Sequence, residues 1–102
     1  MRTVDIKQLS EEMTRFVSSK GWLEANSPRP QTSRNIAVSL AIEAAEVLEH
    51  FQWGEADVDT QELSSELADV FLYLLELAAI SGIDLERAAL DKLKVNYGRS
   101  WE

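Results

Sequence analysis

Apolar residues recur at helical spacing in four blocks of this chain, and the glycines and prolines fall in the short stretches between them. No run alternates apolar and polar positions for long enough to make a useful strand, and no segment repeats. The first block, Asp5 to Ser19, spaces Ile6, Leu9, Met13, Phe16 and Val17 along one side of a helix, and Phe16 reads as core. Asp5 with Gln8 resembles a capping box, and Gly21 supplies a stop. Trp22 to Thr32 reads as a loop because Ser27-Pro28-Arg29-Pro30 cannot continue a helix.

The second block predicts a helix from Arg34 to Trp53, with Ser33 as N-cap and Gly54 as stop. Its apolar stripe is Ala37, Leu40, Ala44, Val47, Leu48 and Phe51. Val38 and Ile42 lie off that stripe, which points to a second packing partner such as another subunit. The third helix is expected from Thr60 to Ser81, opened by an Asp59/Glu62 capping box and stopped by Gly82. From Leu67 to Ile80 it is apolar nearly all round, as a core helix is, except at Asp69, Tyr73 and Glu76. The fourth, Leu85 to Tyr97, is capped by Asp84 and stopped by Gly98, leaving a tail from Arg99 to Glu102. The expected fold is all-α, a four-helix bundle forming one domain over residues 1–102.

Composition narrows the function. With 102 residues the chain fits one domain, and 45% hydrophobic residues suffice for a core. So small a domain buries a limited share of its surface, and partner subunits would help it. A net charge of −8 argues against binding a nucleic acid polymer, which calls for a basic patch. The absence of cysteine removes disulfides and thiolate metal sites. No signal-like apolar segment opens the chain, and its most apolar stretch, Val70 to Ile80, carries Glu76 and is too short to span a bilayer. The expectation is a cytoplasmic protein with no membrane contact.

Against that background, Glu66 and Asp69 stand out. They lie three residues apart in an otherwise apolar helix and therefore share a face, together with Glu62, Tyr73 and Glu76. A buried carboxylate is costly unless it is paired or binds a cation. The second helix carries a matching pair, Glu43 and Glu46, on the flank of its apolar stripe, and His50 follows on the same side. If the two helices pack antiparallel through the short Gly54–Asp59 connection, the four carboxylates converge, and their repulsion calls for a divalent ion. All-oxygen donors select a hard ion, Mg²⁺ or Mn²⁺, whose open positions commonly take phosphate oxygens. A di-iron carboxylate bundle needs two E-x-x-H motifs and is excluded, since the chain has one histidine.

Glu43-Ala-Ala-Glu46 followed by Glu66-Leu-Ala-Asp69 resembles the E-x-x-E…E-x-x-D signature of the MazG-like pyrophosphohydrolases. Phe51-Gln52-Trp53, Tyr73 and the segment from Lys92 through Asn96 to Arg99, which looks like K-x-x-x-N-x-x-R, extend the likeness. Phe16, Trp22 and Arg34-Asn35 are similar to the dCTP pyrophosphatase branch. The resemblance implies hydrolysis of a nucleoside triphosphate to the monophosphate and pyrophosphate, with dCTP-like preference and a role in cleansing the nucleotide pool. It implies a homo-oligomer, a dimer or a tetramer built as a dimer of dimers. It assigns Glu43, Glu46, Glu66 and Asp69 to Mg²⁺, Trp22 and Trp53 to the flanks of the base, and Tyr73 to the sugar or base. Asn35 joins the substrate-binding set, and Lys92, Asn96 and Arg99 fall to phosphate.

The residue types agree with these roles. Lys92, Asn96 and Arg99 lie within about 60° of one another on a continued helix. Lysine gives a point charge and arginine a forked donor, both suited to phosphate. Indoles stack on a base without needing a particular hydrogen-bond pattern. Glu46 is the choice for the general base that activates water, with Glu49 and His50 as alternatives. The rival expectation is a non-enzymatic acidic helical interaction module, which accounts for the acidity and the second apolar patch but not for Glu66 and Asp69 inside an apolar helix.

Overall fold

The computed structural model describes residues 3–54 and 58–100, and these form four α-helices with no strand among them. Helix α1 spans Ile6–Ser19, α2 Ser33–Glu49, α3 Thr60–Ile80 and α4 Leu85–Tyr97. Residues 55–57 of the α2–α3 connection, and Trp101 and Glu102 of the tail, lie outside the described residues.

Local chemistry sets most of the helix ends. The Asp5 carboxylate accepts from the Gln8 amide at 2.8 Å while the Gln8 side chain accepts from the Asp5 amide at 2.9 Å, a complete capping box. Asp59 accepts from the amides of Gln61 and Glu62, and Asp84 from that of Arg87. At the end of α3, Gly82 has φ of 68°, its amide bonds to Ala79 at 3.2 Å and the Ile83 amide bonds to Ala78 at 2.9 Å. This reversal favours glycine because L side chains disfavour the left-handed region.

Helix α2 departs from expectation at both ends. Thr32, not Ser33, is the N-cap, accepting from the Asn35 amide at 3.1 Å. The helix stops at Glu49, and residues 50–53 continue as successive turns bonded i to i+3, so Trp53 lies outside it. The expected stripe is not the buried face either. Leu48 is 69% exposed and Phe51 40%, whereas Ile36, absent from that stripe, is 3% exposed. Ile36, Leu40, Glu43, Val47 and His50 share the face with the least exposure. The hydrophobic pattern averaged over two apolar faces; packing chose the one that carries the carboxylates.

The core of the single chain is small: Met13 and Val17 from α1, Ile36 from α2, Leu75 and Ala78 from α3. Helix α3 packs extensively on α2 and on α1. It is not the fully enclosed helix its composition suggests, since Leu67 is 51% exposed, with Phe71, Leu74 and Ile80 also open to solvent. Phe16 is likewise half-exposed rather than core. Helix α4 packs on α1 and makes no extended contact with α2 or α3, and none of its residues is buried. The radius of gyration is 16.2 Å, against about 13 Å for a compact domain of this length. The accessible surface is 8169 Å², roughly 2,400 Å² more than the ~5,800 Å² expected of a compact chain of this mass. No helix among the described residues is long and apolar enough to cross a membrane.

Candidate functional site

Antiparallel packing of α2 on α3 brings the two carboxylate pairs together. The Glu43 carboxyl is pushed above its ordinary value, first by burial, then by a hydrogen bond shared with Glu46 and by the charges of Glu46, Asp69 and Glu66. His50 Nε2 lies 3.2 Å from Glu66 Oε1, and both side chains are largely shielded. Glu46, Glu49, His50 and Glu66 line one shallow hollow of 190 Å³. Asp69 is the most open of the four acids.

These groups neighbour one another electrostatically without touching a common point. No three acidic or imidazole groups among the described residues form a ready-made cation cage. The two facts agree, because Coulomb forces act over several ångströms while ligation of Mg²⁺ needs about 2.1 Å to each oxygen. The donor chemistry does fit a hard cation. Glu43 Oε2 and Glu66 Oε2 are shielded from solvent with no hydrogen-bond partner, and an ion between the helices would satisfy both.

Beside the carboxylates lies an aromatic cleft of 280 Å³, lined by Trp22, the Pro28–Gln31 loop, Asn35, Ile36, Ser39 and Tyr73. Trp22 meets Phe16 edge to face, 5.9 Å between centroids at 89°, and the Arg29 guanidinium lies 5.4 Å over the indole. Asn35 donates from Nδ2 to the Pro30 carbonyl at 3.0 Å, which ties the loop wall to the start of α2. Tyr73 joins cleft to cluster. It lines the cleft, and its hydroxyl is held above the usual value by burial first, then by the charges of Glu43, Glu76 and Asp69, with Arg29 opposing.

The structure therefore gathers Trp22, Asn35 and Tyr73 into one cleft and Glu43, Glu46, Glu66 and Asp69 beside it. It does not bring the other expected residues there within one chain. Trp53 is 92% exposed and lines no part of the cleft. Lys92 and Asn96 sit on α4, and Arg99 follows the helix end, its amide bonded to Asn96 at 3.2 Å. Three contributors were not singled out from sequence. Arg29 was legible only as part of a helix-breaking Pro-Arg-Pro, Ser39 has no distinguishing pattern, and Ile36 was hidden by the choice of stripe. Glu76 was noted as an interruption of α3. It is 3% exposed, neither carboxylate oxygen has a partner, and burial pushes its carboxyl up.

Comparison with known proteins agrees with this geometry. The dCTP pyrophosphatase 1 of Rattus norvegicus is 34% identical over 104 residues, covering 93% of this chain and 56% of its own length. That of Homo sapiens is 33% identical with the same coverage. The chain thus spans little more than half the length of these curated relatives. A crystal structure of a pyrophosphatase from Archaeoglobus fulgidus superposes with a TM-score of 0.77 at 32% identity, covering 94% of this chain and 92% of that one. The MazG-like family model matches residues 38–100, a span holding both carboxylate pairs and the α4 segment. The chain belongs to the MazG-like family.

Proposed function

We propose that this protein hydrolyses nucleoside triphosphates to the monophosphate and pyrophosphate, with Mg²⁺ (or Mn²⁺) held by Glu43, Glu46, Glu66 and Asp69. The observation that carries the reading is the adjacency of an aromatic cleft and a carboxylate cluster, with Tyr73 belonging to both. A base stacked on Trp22 and bounded by Tyr73 directs its triphosphate toward the cluster. Such stacking contributes about 1–3 kcal/mol. The wall of Pro28, Arg29 and Pro30 excludes water from one side of the base.

When bound, Mg²⁺ supplies positive charge to the triphosphate oxygens. The chain's own residues do the rest. Glu46, beside Glu43, accepts a proton from water, and His50, 3.2 Å from Glu66, holds that carboxylate in place. The water oxygen bonds to the α-phosphorus, the bond from that phosphorus to the bridging α–β oxygen breaks, and pyrophosphate leaves with the electron pair. Lys92, Asn96 and Arg99 bind phosphate oxygens. A dCTP-like preference follows from the named relatives, and cleansing of the nucleotide pool in the cytoplasm is the fitting role. The working form is a homo-oligomer, a dimer or a dimer of dimers, which covers the surplus surface of the chain.

Incubation with a panel of nucleoside triphosphates and Mg²⁺, followed by anion-exchange separation, tests the reading. Equal monophosphate and pyrophosphate, abolished by EDTA and in Glu66→Gln, are expected, with dCTP among the best substrates. Nucleoside diphosphate with free phosphate, or no turnover, would replace this reading with another phosphohydrolase or with an acidic interaction module.

A further inference from the structure

The aromatic cleft is covered by a side chain of its own wall. The Arg29 guanidinium lies 5.4 Å over the Trp22 indole, and both residues line the cleft. A base stacking on that indole face needs the same space. A base and then a guanidinium layered on an indole need about 7 Å, twice the ~3.5 Å contact distance of carbon atoms, so a base cannot slip beneath Arg29 where it stands. The backbone around Arg29 is braced. Its amide donates to Ser27 Oγ at 3.0 Å, its carbonyl accepts from Gln31 Nε2 at 2.6 Å, and the Pro30 carbonyl accepts from Asn35 Nδ2 at 3.0 Å. Pro28 and Pro30 fix the backbone on either side. The side chain is free to move on this frame, since Arg29 is exposed and makes no ion pair among the described residues. Its charge acts on the Tyr73 hydroxyl, where it opposes Glu43, Glu76 and Asp69. The guanidinium is thus within electrostatic reach of the group that joins cleft to carboxylates, beside the path a triphosphate must take.

We propose that Arg29 is a substrate-binding residue that works by exchange: it covers the Trp22 face while the cleft is empty, and an entering nucleotide takes that face and receives the guanidinium on its phosphate. The proposal rests on the reading of the cleft as a base seat, and it names a residue outside the span that the family model matches, residues 38–100. The two partners of the guanidinium differ in strength. An exposed cation–π contact is worth only about 2- to 5-fold in affinity, whereas a charged hydrogen bond is worth about 10- to 150-fold. The planar fork of arginine suits both tasks, stacking on a ring and pairing with phosphate oxygens. The exchange couples the two ends of the substrate. A nucleoside must displace Arg29 and gives it nothing in return, while a nucleotide displaces it and supplies a stronger partner. The cleft therefore favours phosphorylated nucleosides independently of the carboxylate cluster. The same cation offsets part of the repulsion between those acids and the incoming phosphates.

Equilibrium binding of deoxycytidine and of dCMP, by isothermal titration calorimetry in Mg²⁺, tests the exchange, because neither probe has a bond for the proposed reaction to break. Arg29→Ala uncovers the indole and removes the phosphate contact. Deoxycytidine should then bind about 2- to 5-fold more tightly than to wild type, and the preference for dCMP over deoxycytidine should fall by about 10- to 150-fold. Arg29→Lys keeps a charge without the planar fork, so it should restore part of the dCMP preference. Arg29 is exposed on a loop, and unchanged thermal unfolding of both variants checks that the fold is intact. Equal weakening of both probes in Arg29→Ala would mean that the guanidinium stacks on the base, and unchanged affinities would mean a passive wall; either result overturns the exchange. Wild-type turnover of triphosphates without binding of either probe at millimolar concentration overturns it too and leaves the pyrophosphohydrolase reading standing. Binding of dCMP with the expected Arg29→Ala pattern, but no turnover of any triphosphate, removes that reading and leaves the exchange.

Discussion

The α2–α3 hairpin and α4 invert the ordinary arrangement of a helix in opposite ways. The hairpin hides charge: Glu43, Glu66 and Glu76 have shielded oxygens with no partner, along an interface that should be apolar. Helix α4 exposes grease: none of its residues is buried, and Leu90, Leu93, Val95 and Tyr97 face water. Each inversion costs free energy in an isolated chain, the first by desolvating carboxyls and the second by leaving burial unrealised. The difference teaches that the two regions lack different things. The hairpin's shielded oxygens call for a positively charged partner, and the exposed apolar side chains of α4 call for an apolar one.

Removing a carboxylate should separate the two regions most sharply. Glu43→Gln is expected to lower kcat by roughly 10²–10³, the range seen when one electrostatic stabiliser is removed from a site. The oligomer should persist, which analytical ultracentrifugation checks. A kcat within threefold of wild type would break the assignment of the hairpin to catalysis. Next in size, if Lys92 binds phosphate as proposed, Lys92→Ala costs about 1.5–3 kcal/mol, so kcat/KM should fall by about 10- to 150-fold. Its thermal unfolding should barely move, because Lys92 is exposed and its helix buries nothing within the chain. Trp22→Ala should raise KM more than it lowers kcat, by an amount corresponding to about 1–3 kcal/mol of lost stacking. Steady-state kinetics with the best substrate would show a kcat-only effect if Trp22 served structure alone.

The smallest effect concerns stability. Burial raises the Glu76 carboxyl above its ordinary value of 4.5. A raised folded pKa means that the stability contributed by the protonated group is fully present below the unfolded value and is lost as pH rises through the folded one. The stability of the wild type relative to Glu76→Gln should therefore fall as pH climbs above 4.5. Denaturant unfolding at several pH values measures this, and parallel curves for the two proteins would mean that Glu76 does not titrate on folding. At neutral pH, Glu76→Met should stabilise the chain by about 1–3 kcal/mol, because it replaces a buried, unpartnered polar group with an apolar one of similar length.

Helix identity was legible in the sequence because it follows from short-range chemistry. The Asp5/Gln8 box, the Asp59 and Asp84 caps and the Gly82 stop act within four residues, and each stands where expected. Ser33 was misplaced as a cap because Thr32 offers the same hydroxyl one residue earlier. The C-terminal end of α2 was overextended because apolar periodicity continues through Phe51, although the backbone tightens into turns after Glu49. The carboxylate motif was legible as an anomaly of composition, and Tyr73 and Trp22 as its aromatic companions. Arg29 and Ser39 were not, since their place in the cleft depends on how the Pro28–Gln31 loop folds back over α2, a contact between segments that no local pattern encodes.

By itself the sequence determined four helices, three of their four N-caps and the two acid pairs that face one another when α2 and α3 pack antiparallel, because helical periodicity and capping are local and the spacing of three residues fixes a shared face. Only the tertiary structure decided which face of α2 turns inward, that Glu76 is buried unpaired, and that α4 leaves its own hairpin uncovered. Those outcomes depend on which of several apolar faces wins the limited interior of a small chain, and that competition is settled by packing across the whole molecule.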